Sequence, residues 1–134
     1  MNIWIVILLI LAISSCFLYP KIDIKYYGHI TNQSKIAINK VLQIIPDKYF
    51  ENIHYIKVFE QTNYGGILGL YWWNNGIELY EGNDDIMVGD ALLHEFSHNC
   101  QRIKGDSLYT SVNHLGNFTN CHKEVIKLYE DTFN

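Results

Sequence analysis

Two histidines four residues apart, with a glutamate directly after the first, constrain this chain more than any other feature. They stand in Ala91-Leu92-Leu93-His94-Glu95-Phe96-Ser97-His98-Asn99-Cys100. On an α-helix, residues four apart lie one above the other. His94 and His98 therefore aim two imidazole nitrogens at one cation. Zinc accepts neutral imidazole at about 2.0–2.1 Å and, in catalytic sites, keeps one position open for water. Glu95 projects beside that position, where a carboxylate can take a proton from the water. The surroundings favour a helix. Leu92, Phe96 and Ile103 lie near helical spacing on one face, with His94, Glu95 and His98 on another. Asp84 or Asp85 is a candidate N-cap, and Gly105 a candidate stop.

The rest of the chain must supply a third ligand, because a catalytic zinc site uses three protein donors. At 134 residues there is room for one small domain after the N-terminal segment, enough to bury a core. Nearly half the residues are hydrophobic (49%), which excludes a disordered chain. With a net charge of −4 and no basic run, nucleic acid is not an expected partner.

Residues 1–20 form a separate hydrophobic segment, and 21–134 the domain. Ile3 to Tyr19 is an uncharged, nearly unbroken apolar run. It lies near the lower length limit for a spanning helix, roughly 17–25 residues. It reads as an uncleaved membrane anchor, as a cleaved signal with small residues around Ala12 to Ser15, or as a lipoprotein leader ending at Cys16. A buried N-terminal helix is the structural alternative. The domain is thus expected to be membrane-anchored or secreted. Lys21 and Lys25 would keep the flank in the cytoplasm by the positive-inside rule. The even pair Cys100 and Cys121 argues for export: in an oxidising compartment a bridge between them is worth roughly 3 kcal/mol. In a reducing one, both are small buried residues.

Ser34 to Ile45 reads as a helix with an apolar stripe of Ala37, Ile38, Val41, Leu42 and Ile45, stopped by Pro46. A short helical turn fits Asp47 to Ile53, and alternation over His54 to Glu60 predicts a strand. Asn74-Asn75-Gly76 is a hairpin signal between strands Leu68–Trp73 and Ile77–Tyr80. Glycines 65, 66 and 69 leave backbone accessible, as suits an edge strand that pairs with an extended peptide. Asp106 to Asn113 reads as a polar loop. A final helix from Phe118 to Tyr129 carries Cys121, Val125 and Leu128 on one side. Tyr109, His114, His122, Glu124 and Glu130 are the candidates to complete the site.

This order of elements, ending in His94-Glu95-Phe96-Ser97-His98, resembles the zincin metallopeptidases over residues 34–130. It is most similar to the minimal, SprT-like type, whose third histidine heads an HGxxF segment. His114-Leu115-Gly116-Asn117-Phe118 keeps the His-to-Phe interval but has Leu115 where glycine is usual. The resemblance implies an α+β domain with a short antiparallel sheet packed on the active-site helix. It implies Zn²⁺ held by His94, His98 and His114, with Phe118 beneath the third ring. In gluzincins the third ligand is a glutamate on a later helix, here Glu124 or Glu130. The activity implied is hydrolysis of a peptide or protein substrate, Glu95 acting as general base. Tyr109 or His122 would stabilise the oxyanion. The competing class is a membrane-associated binding or structural protein with a non-catalytic metal site. A non-peptidase hydrolase using the same metal chemistry is a further one.

Overall fold

The computed structural model describes residues 2–3, 22–60, 68–81 and 86–133, side chains 86 and 87 excepted. The hydrophobic segment 1–20 (save residues 2 and 3), glycines 65 and 66, and the capping candidates Asp84 and Asp85 lie outside the described residues. Among the described residues no helix is long and apolar enough to cross a membrane.

The chain forms β1 (Asp23–Tyr27), α1 (Asn32–Ile44), a 3-10 turn (Asp47–Phe50), β2 (Tyr55–Phe59), β3 (Gly69–Trp72) and β4 (Gly76–Tyr80). Helices α2 (Ile86–Ile103), α3 (Leu108–Val112) and α4 (Phe118–Phe133) follow. The class is α+β, but the sheet is mixed and not antiparallel. Its order is β1-β2-β4-β3, with β1, β2 and β4 parallel and only β3 reversed. Two connections cause this. A parallel pair needs a long crossover, and α1 supplies it between β1 and β2. After β2 the chain runs to the outer edge as β3, and the tight turn returns it as β4, between β2 and β3.

Local chemistry accounts for the element ends. The Thr31 side chain accepts the Ser34 N–H and starts α1, and Pro46 ends it after Ile45. In the hairpin, Asn74 takes the left-handed conformation at φ 58°. Gly76 is needed for a different reason: a Cβ there would lie 2.7 Å from the Tyr55 ring. Helix α2 stops at Gly105, where φ is +92°. There the Gly105 N–H donates to the Arg102 carbonyl and the Asp106 N–H to that of Gln101, the paired bonds of a Schellman end.

Two elements differ from expectation. Strand β1 has no clear apolar alternation; it is short, exposed and carries the Asp23–Lys25 ion pair, as an edge strand often does. The polar stretch after Gly105 holds α3, which starts where the Ser107 side chain accepts the Thr110 N–H.

One face of the sheet carries the core. Ile56, Val58, Ile77 and Leu79 are fully buried against Ile38 and Val41 of α1 and Val88, Leu92 and Phe96 of α2. Each such side chain contributes roughly 1.5–3 kcal/mol. Asn99 ties α2 to its neighbours although it is fully buried. It accepts from Tyr71 of β3 (2.7 Å) and Arg102 (3.0 Å), and donates to the carbonyls of Tyr49 and Glu51. Helix α2 is thereby clamped between the edge strand and the 3-10 turn. Cys100 and Cys121, both buried, form a disulfide that fastens α4 to it.

Candidate metal centre

Helix α2 presents His94 and His98 on one face, and the loop between α3 and α4 brings His114 across from them. The Nε2 atom of His94 lies 3.3 Å from that of His98 and 3.1 Å from that of His114. All three donor atoms fall within 4.8 Å of one another, close enough to bind a metal ion. Tetrahedral bonds of about 2.0–2.1 Å would separate ligand nitrogens by about 3.3–3.4 Å, so two of the spacings match a single cation. His114 reaches this position with a left-handed backbone, φ 55°. Phe118 packs under all three rings, with centroids 4.5 Å from His114 and 5.0 Å from His94 and His98.

A buried network fixes the His98 ring. Its Nδ1 lies 2.9 Å from Ser111 Oγ and 3.1 Å from Gln101 Oε1. The Gln101 amide nitrogen donates both hydrogens, to Asp106 Oδ2 (3.0 Å) and the Leu115 carbonyl (2.8 Å). Its oxygen must therefore face His98, and the Ser111 hydroxyl also donates to it. Both neighbours of Nδ1 are then acceptors. The proton of the neutral ring sits on Nδ1, and the Nε2 lone pair faces the cluster. Asp106 also accepts the Asn117 backbone and side-chain N–H groups, so one carboxylate holds both ends of the His114 loop.

Burial dominates the electrostatics. It holds the His94 and His98 imidazoles down at about 4, with the neighbouring histidines adding to the effect. Both are therefore neutral near pH 7, the form that ligates a metal. Burial also pushes the Glu95 carboxyl up to about 8, and a divalent cation bound beside it would draw it down. Glu95 is 5% exposed and lies against Gly69 of β3, where a Cβ would sit 2.8 Å from Oε1. The edge strand approaches the carboxylate closely because Gly69 lacks a side chain.

The remaining candidates fall elsewhere. Glu124 is two residues beyond His122 on α4, about 200° around the helix, and is directed away from the histidines. It accepts the Tyr49 hydroxyl and pairs with Lys104 and Lys48 at 3.4 and 3.7 Å. Its carboxyl is held below the usual range, first by the Tyr49 hydrogen bond. Among the described residues it is not part of the grouping that could hold a metal. Glu130 is exposed farther along α4. Tyr109 is 71% exposed and makes no ring contact with the histidines. His122 does border the cluster: its ring stacks on Phe118 and lies 5.9 Å from that of His94.

Gln101, Ser111 and Asp106 are the participants that sequence reasoning missed; Gly69 was read as part of an accessible edge strand, without its contact with Glu95. Gln101 had a usable signal, since it lies three and seven residues past the two histidines on their own helical face. Ser111 and Asp106 had none, because their role depends on how the loop returns. Neither protein-family models, curated proteins nor solved structures give a match to this chain.

Proposed function

We propose that this chain is a zinc-dependent peptidase of the zincin type, acting on peptide or protein substrates. The observation that carries the proposal is the convergence of the His94, His98 and His114 Nε2 atoms. Glu95, on the same helix as two of them, is pressed against an edge strand. The His94 Nε2 atom faces those of His98 and His114 at 3.3 and 3.1 Å, spacings at which two lone pairs repel unless a cation or a proton lies between them. The donor set, all imidazole, suits zinc.

Held by His94, His98 and His114, a zinc ion would supply Lewis acidity to a water and to the scissile carbonyl. Glu95 accepts the proton of the attacking water and returns it to the leaving amine. Among the described residues strand β3 pairs with β4 alone, and its other edge offers backbone groups to an extended substrate. Residues 1–20 carry the domain to a membrane or through it. The Cys100–Cys121 bridge favours the exported side.

The test is zinc content and peptide hydrolysis of wild type beside Glu95→Gln and His94→Ala. Wild type is expected to hold one zinc per chain and to hydrolyse a broad peptide library. Glu95→Gln keeps the zinc and loses hydrolysis, and His94→Ala loses both. A folded wild-type chain that binds zinc but cleaves no peptide would instead mark a non-catalytic metal site.

A further inference from the structure

We infer that the groove between α2 and α4 receives a lysine or arginine side chain flanking the scissile bond, an assignment that rests on the peptidase reading. The groove encloses about 390 Å³ and is lined by Asp90, Leu93, His122, Ile126, Tyr129 and Glu130. Small-molecule pockets commonly enclose roughly 300–1,000 Å³. It opens beside the metal centre: His122, which lines it, has its ring centre 5.9 Å from that of His94, and Leu93 and Asp90 stand one and four residues before His94 on α2.

The lining is divided by chemistry. Leu93, which is buried, together with Ile126 and the Tyr129 ring forms an apolar floor. Asp90 and Glu130 stand exposed at the rim. An apolar floor under an acidic rim is the complement of a long methylene stem with a cationic head. Among the described residues neither carboxylate makes an ion pair. Of the nearby cations, Lys127 pairs with Asp131 at 2.7 Å and lies near enough to Glu130 to interact with its charge as well, while the Lys40 ammonium lies 5.4 Å from the Phe133 ring centre. An acidic side chain would meet two like charges, and a short apolar one would leave the rim without a partner.

The test separates binding from turnover. Acetylated tripeptide amides with lysine, norleucine or glutamate at the centre are titrated into the metal-free full chain, following the NMR signals of Ile126 and Tyr129. The lysine peptide is expected to bind about tenfold tighter than the norleucine peptide, as two partly exposed charge contacts would give. Asp90→Asn/Glu130→Gln should abolish the difference, and Asp90→Lys/Glu130→Lys should move the preference to glutamate. These positions are exposed, so the variants keep the core intact. Equal or tighter norleucine binding, no shift at Ile126 and Tyr129, or a lysine preference that survives the neutral double variant would overturn the assignment. The same three residues are then compared at the cleavage site of fluorogenic peptides with the zinc-loaded chain. Cleavage without basic preference sinks the pocket but not the peptidase; lysine-selective binding without cleavage of any peptide sinks the peptidase but not the pocket.

Discussion

Replacing Gln101 with leucine should damage the metal centre without touching a ligand. The side chain is fully buried and makes four contacts: to His98 and Ser111 through its oxygen, and to Asp106 and Leu115 through its nitrogen. Leucine nearly conserves the volume and removes all four. Asp106 retains the two Asn117 donors, and Leu115, at the surface, can turn to water. Ser111 cannot, being 1% exposed. Its hydroxyl has lost its acceptor, and the nearest replacement is His98 Nδ1 at 2.9 Å. Donation there places the imidazole proton on Nε2, where the metal should bind. Loss of such an orienting partner costs typically about 10–100-fold in metal affinity. The folded state should lose about 1–3 kcal/mol for the buried polar group left poorly paired. Zinc affinity is read by competition with a chromophoric chelator, stability by denaturant unfolding with and without zinc. Gln101→Glu should fare worse in stability, because its second oxygen would face the Asp106 carboxylate and the Leu115 carbonyl. A folded Gln101→Leu protein that binds zinc within twofold of wild type would refute the tautomer mechanism.

His114→Ala should weaken zinc binding strongly, whereas Glu124→Ala should leave it nearly intact while removing the acceptor of the Tyr49 hydroxyl and the partner of Lys104 and Lys48; zinc titration of both decides, and loss of affinity in Glu124→Ala alone would reverse the assignment. The Cys100–Cys121 bridge closes a loop with a sequence separation of 21, which contributes about 3 kcal/mol. Cys100→Ala/Cys121→Ala should therefore lower Tm by about 10 °C or more, and an unchanged calorimetric Tm would show that the bridge does not form in the protein as made.

What could be read from the sequence is local in origin. The spacing of His94 and His98 needs only a helix, and the helix is written in Leu92, Phe96 and the stop at Gly105. The strand Tyr55–Phe59 follows from alternation, and the hairpin turn from Asn74 and Asn75. Each signal acts within a few residues, so propensity and periodicity suffice. The parallel pairing of β1, β2 and β4 was not legible, because register is set by partners more than 20 residues away. Strand β1 exists only because β2 offers it an edge. The choice between His114 and Glu124 had only a partial local signal, the His114-to-Phe118 spacing that favours His114, since both stand at plausible distances along the chain. Packing decided where each side chain points: the disulfide and the apolar face of α4 set its rotation, which commits Glu124 to Tyr49 and leaves His122 beside the histidines. The sequence by itself thus determined which residue types could bind a cation and two of their positions, and favoured His114 for the third. The return of the His114 loop onto the helix, the tautomer set by Gln101 and Ser111, and the contact of Gly69 with Glu95 were decided by tertiary structure, because each depends on a long-range approach of groups that no short-range pattern encodes.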